Sequence, residues 1–216
     1  MLKGKELAHI LLVLIILIFA VNLNSVISNN LNQETLLIKS LGITIIVFAS
    51  VFSIKAASHY FESEAEFKIW QWQRYGFKRQ FKLKKSIPAG IIAPFLISFL
   101  SAGYFLWLAV LEFDVKTHPS RASKRHDIWK FTDMTDIHLG LIASAGIISS
   151  LIVSIIAYLT NFPEVSKLAV YYAVYSLVPI SNLDGAKIFF ATKGMKLWIT
   201  LAIIVLIFLA YAQFLP

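Results

Sequence analysis

The residue best placed to do chemistry in this chain is Asp184, in the stretch Ser176-Leu177-Val178-Pro179-Ile180-Ser181-Asn182-Leu183-Asp184-Gly185. A carboxylate there ends an apolar segment, between a helix-disturbing proline and a glycine. An unpaired carboxylate in hydrocarbon costs at least about 2.5 kcal/mol, so a membrane-embedded one marks a functional site. Its candidate partners lie on an earlier apolar segment. His59 ends that segment and Lys55 precedes it by one helical turn. Glu62 and Glu66 follow at spacings that let one helical face present all three. His59, Asp184 and Glu62 are the residue types of a zinc site. Lys55 and Asp184 are those of an intramembrane ion pair, in which each charge offsets part of the other's desolvation. The bland alternatives are a solvated, amphipathic helix end carrying Glu62, Glu64 and Glu66, and a Lys55 that snorkels to the interface.

The elements that position these residues are set by composition. Of 216 residues, 58% are apolar, and runs long enough to cross a bilayer, about 20 residues each, recur along the chain. An integral membrane protein built as one polytopic domain over 1–216 is expected. Without cysteine, disulfides, thiolate metal sites and cysteine nucleophiles are excluded. The run from Ile10 to Val21 follows Lys3 and Lys5 but is followed by a polar stretch rather than a small-residue cleavage site, so a retained first helix is expected. The net charge of +8 reads as basic loops against anionic lipid rather than as a nucleic-acid surface.

Full spans are expected at Ala8–Ile27, Leu36–Ala57, Leu139–Thr160, Leu168 to about Leu183, and Leu197–Phe214. The run Ile87–Phe113 is ambiguous, because Pro88, Gly90, Pro94 and Gly103 interrupt helical hydrogen bonding. If it crosses, giving six spans, the basic loops 68–85 and 116–130 fall on opposite faces. If it dips and returns, those loops share one face with Lys3, Lys5, Lys187, Lys193 and Lys196, leaving Lys39 and Lys167 on the other. Loop charge orients membrane proteins. The reading is therefore an all-α membrane protein with about five transmembrane helices, a re-entrant segment at 87–113, a cytoplasmic N-terminus and an external C-terminus. This arrangement also brings the ends bearing His59 and Asp184 into one leaflet.

Between His59 and Ile87, Trp70-Gln71-Trp72-Gln73 and Phe81-Lys82-Leu83-Lys84 alternate apolar with polar, and Tyr75-Gly76 supplies a turn. A small interfacial β-hairpin over 67–85 is expected, with Trp70, Trp72, Tyr75, Phe77 and Phe81 as interfacial anchors. His118, His126 and His138 read as residues in or beside a polar loop, and His9 as interfacial.

The Asp184 stretch resembles the site-2 protease family of intramembrane zinc metalloproteases, whose pattern is roughly N-x-x-P-x-x-x-L-D-G. Ser176 stands where asparagine is expected, Pro179 matches, and Leu183-Asp184-Gly185 is intact. A second family feature, A-G-P-x-x-N on the preceding span, survives as Ala145-Gly146 without its proline and asparagine. The likeness covers about 36–190 and implies a divergent, archaeal branch, with Asp184 as third zinc ligand. The family's H-E-x-x-H places two histidines four apart on one helix face, with the glutamate activating metal-bound water. If His59 is the second histidine, the first is Lys55 and the glutamate is Ala56. If His59 is the first, the glutamate is Tyr60 and the second histidine is Ser63. Either register lacks a ligand and the general base.

The expected function is therefore a pseudoprotease that binds a membrane-protein partner or transmembrane-helix ligand, without cofactor and without nucleic acid. An active metalloprotease using zinc at an unorthodox site is the alternative, and a small transporter ranks last.

Overall fold

The computed structural model describes residues 4–27, 32–74, 82–117, 134–191 and 194–213. Its elements, in chain order, are α1 (Gly4–Ile27), α2 (Gln33–Tyr60), β1 (Ser63–Ile69), β2 (Trp72–Arg74), β3 (Lys82–Ile87), α3 (Ala89–Leu100), β4 (Leu111–Thr117), α4 (Asp136–Leu159), α5 (Pro163–Leu177), α6 (Asp184–Phe189) and α7 (Gly194–Gln213). Among the described residues, α1, α2, α4 and α7 are long and apolar enough to cross a bilayer, so such helices number four rather than five. The missing one is the segment expected at 168–183. Pro163 opens α5 with its φ preset for helix, and the helix stops at Leu177 because the residue before Pro179 cannot stay helical. Val178 is extended, Ser181 takes a φ of 52°, and α6 restarts at Asp184. Fifteen residues of α5 reach only about 22 Å.

α1 and α2 run antiparallel, with Glu6 beside Lys55 and Asn22 beside Ser40, and so do α4 and α5, where Ser154 meets Ser166. Asn32 starts α2 by accepting the Glu34 N–H at 3.2 Å. The end of α2 meets the start of α4 through Phe61 and His138, whose rings lie 4.7 Å apart. The middle of α4 packs on α2 and α5, and α7 packs on α5 and α6. The apolar core is continuous through α1, α2, α4 and α5.

The segment 87–113 goes out as a helix and returns extended. α3 lies along α1, with Phe95 against Phe19 at 5.2 Å. The chain reverses at Ala102 and Gly103, which have φ values of 51° and 80°. Gly103 sits so tightly on Asn24 of α1 that a Cβ would lie 2.5 Å from its backbone nitrogen. The return path brings Val110 back beside Gly90 and Trp70.

That return creates a strand pairing absent from the sequence reading. β1 pairs with β4, Phe67 opposite Phe113 and Lys68 opposite Glu112. The local hairpin exists but is shorter, with β2 against β3 through Trp72↔Ile87 and Arg74↔Lys82. Residues 67–69 thus belong to a different sheet. The turn at Tyr75-Gly76 and the aromatics Phe77 and Phe81 lie outside the described residues, as do His118 and His126. Trp70 is not an interfacial anchor. It is 1% exposed and packed between Trp72 and Trp107, because the β1–β4 pairing carries it under α3 and Leu183.

The remaining edge of β1 is closed by side chains. The Phe67 N–H donates to Glu6 Oε1 at 3.1 Å, and Lys55 Nζ donates to the Ala65 carbonyl at 3.2 Å. Lys55 and Glu6 are themselves paired at 2.8 Å, with Glu6 4% exposed. The pair therefore ties α1, α2 and β1 together and stands in for a third strand. Removing one partner of such an enclosed pair typically costs about 3–5 kcal/mol. A double-mutant cycle of Glu6→Leu and Lys55→Met should show a coupling of at least about 1 kcal/mol in denaturant unfolding. The cycle of Lys55→Met with Asp184→Leu should be additive.

Candidate functional site

Asp184 is the first residue of α6 and is 8% exposed. Gly185 is required beside it because a Cβ there would run into the Leu177 carbonyl, where the end of α5 folds against α6. Leu183 is 1% exposed and locks the turn against Trp70, Ala89 and Ala109, while Pro179 is exposed in the break. On α4, Gly146 allows the closest approach to α2. A Cβ there would lie 2.7 Å from Ile54 Cδ1 and 3.0 Å from Ser50 Oγ. Neighbouring Ala145 is half-buried.

These contacts fix which face of α2 meets Asp184. Ser50 and Ile54 of α2, Phe113 of β4, Tyr172 and Ser176 of α5, and Asp184 share one small cavity. Its volume is about 10 Å³, at the lower limit for one water. The Tyr172 side chain shares this lining with Ser50 and Ser176, and all three carry hydroxyls. Among the described residues, no hydrogen bond or ion pair reaches the Asp184 carboxylate. The cation whose field acts on it is Lys187, three residues on.

The sequence-derived partners lie elsewhere. Lys55 belongs to Glu6, so the Lys55–Asp184 pair does not form. His59 is exposed in the last turn of α2, about 7 Å farther along the axis than Ile54. Glu62 sits in the following turn with a φ of 54°. Neither His59 nor Glu62 is among the residues lining the Asp184 cavity. Among the described residues, no three histidine, aspartate or glutamate side chains converge as a metal site. His138 is held by Thr135, at 2.6 Å between Nδ1 and Oγ1.

No family model, characterised protein or solved structure matches this chain. The site must be read from its own geometry.

That geometry includes a ladder of charges that the sequence reading missed. Asp114 is exposed and lies 2.6 Å from Lys68, which lies 3.3 Å from Glu112. Glu112 is 1% exposed and also accepts the Gln71 N–H at 3.4 Å. Lys187 follows, within the fields of both Glu112 and Asp184. Its stem is partly exposed, but its ammonium is enclosed without a hydrogen-bond partner, 3.6 Å from the centre of the Phe113 ring. Burial pushes the Glu112 carboxyl above its ordinary range, opposed by Lys68 and the Gln71 N–H. Burial works against the charged Lys68, yet Asp114 and Glu112 outweigh it and hold its pKa above the usual lysine value. Signals for the ladder were present in the Asp184–Lys187 spacing and in the alternation of charge along 112–116. They carried no weight without knowledge that β4 lies against β1.

Two outcomes follow. Gly185→Ala should destabilise the chain by about 1–3 kcal/mol through forced overpacking, measured by chemical unfolding in detergent. Glu112 has a raised carboxyl in the fold, so its contribution favours the folded state at acid pH. That contribution is lost as pH rises from 4.5, the unfolded value, through the higher folded value. Glu112→Gln should flatten this part of the stability–pH curve.

Proposed function

We propose that this chain is an integral membrane protein of site-2-protease-like architecture that has lost hydrolytic chemistry and works by holding a membrane partner. The partner is a transmembrane helix of another protein, or a complex in which the chain is an accessory subunit. One observation carries the reading. The α2 positions facing Asp184 are Ser50 and Ile54, four residues apart, the spacing at which a zinc-protease helix carries two histidines. A hydroxyl and a hydrocarbon stand there, and Val51 fills the position after the first. The register differs from either one centred on His59, but the conclusion is the same: one carboxylate falls short of the three protein ligands of a catalytic zinc. The tight approach at Gly146 and the Leu183-Asp184-Gly185 turn are retained as packing devices.

The charge distribution supports a membrane orientation with the N-terminus cytoplasmic. Lys5, Lys68, Lys116, Lys187 and Lys196 belong to the end that carries the sheets, whereas Lys39 and Lys167 lie on the far ends of α2 and α5. Lys39 there faces Glu164 at 3.6 Å.

Metal analysis and peptidase assays test this reading together. Protein purified from membranes without chelator should contain substoichiometric zinc and leave transmembrane reporter substrates intact. One zinc per chain, released by Asp184→Asn together with loss of cleavage, would establish an active metalloprotease instead.

A further inference from the structure

The cavity at Asp184 has a chemistry of its own. The polar side chains in its lining carry oxygen only: the Asp184 carboxylate and the hydroxyls of Ser50, Ser176 and Tyr172. The carboxylate is more than nine-tenths buried and borders the cavity, with no hydrogen bond or ion pair from the described residues. The ladder leading to it is unbalanced. Asp114, Glu112 and Asp184 supply three negative charges, and Lys68 and Lys187 supply two positive ones. One negative charge remains, and the innermost member is the one without a direct partner.

We propose that this cavity binds a small monovalent metal cation of sodium's class, with Asp184, Ser50, Ser176 and Tyr172 as the oxygen donors. Three considerations select that ligand. Hard cations take carboxylate and hydroxyl oxygens, whereas zinc sites draw on nitrogen and sulfur. A monovalent ion neutralises the ladder, while a divalent ion would leave it overcharged beside Lys187. A water fits the volume but adds no positive charge, leaving the buried carboxylate with only the offset field of Lys187. The Ser50, Ser176 and Tyr172 hydroxyls each have lone pairs to offer an ion. The Lys187 ammonium lies over Phe113 rather than on the Asp184 carboxylate, which leaves the carboxylate open to a second cation. The site joins α2, α5 and α6, so an ion bound there would cross-link those three helices.

The test is thermal unfolding of the full chain in detergent at fixed alkaline pH. Sodium, potassium and choline chlorides are compared at equal ionic strength. Sodium should raise the midpoint saturably, by about 3 °C or more, relative to choline. Ser50→Ala and Ser176→Ala should each weaken the half-saturating sodium concentration about tenfold, and Asp184→Asn should abolish the response. Sodium-23 line broadening, lost in the same variants, supplies a readout should Asp184→Asn not fold. Equal midpoints in all three salts with no line broadening, or a sodium response retained in Asp184→Asn, would overturn the proposal. It does not rest on the pseudoprotease reading: stoichiometric zinc in place of sodium removes both, and indifference to sodium without zinc removes this one alone.

Discussion

The Glu6–Lys55 pair is the interaction from which the rest of the architecture hangs. It joins the first two helices at the end that carries the sheets, and both groups also bind the free edge of β1. An edge strand with unmet backbone groups invites pairing with other chains. Here the carboxylate takes an N–H and the ammonium takes a carbonyl, so the edge is closed without another strand. With β1 fixed, β4 has one place to pair, and the strand that pairs there walls the Asp184 cavity. A surface ion pair would contribute little. This one matters because each partner has a second bond that only the other's position permits.

Much of the fold was readable because hydrophobic runs report helices directly. The four long helices fall close to the runs that announced them, and the interruptions at Pro88, Pro94 and Gly103 marked the segment that turns back. Pro179 also announced a break, but the run from Leu168 to Leu183 looked continuous. A proline within an apolar stretch reads equally as a kink or a stop, and neighbouring structure decides. The β1–β4 pairing was not readable. Its partners are separated by 42 to 54 residues (Ile69 to Leu111, Ser63 to Thr117), and the alternating Glu64 and Glu66 of β1 read as a solvated helix end rather than as a strand.

The site divides along the same line. Asp184 stood out from local chemistry and its flanking Leu183 and Gly185 from the resemblance, and each has a specific place around the cavity or its turn. The partners were misassigned because helical spacing gives a face but not which face. Lys55 is next to Ile54, which does reach the cavity, whereas His59 lies more than a turn beyond it. What selects Ser50 and Ile54 is the absence of a side chain at Gly146, a feature of another helix. Glu6 was invisible as a partner for Lys55 for the same reason: 49 residues separate them, and no local pattern links the start of α1 to the end of α2.

The out-and-back path of 87–113 also bears on how the chain is made. Synthesis delivers the N-terminal part first, so α1 exists before α3 has anything to lie on. The reversal at Gly103 fits against Asn24 near the far end of that completed helix. β1 meanwhile waits for a partner that emerges only after the excursion has returned. Non-local pairings of this kind are slow to form. The excursion thus packs along a helix made before it, and the β1–β4 pairing closes only once that excursion has returned.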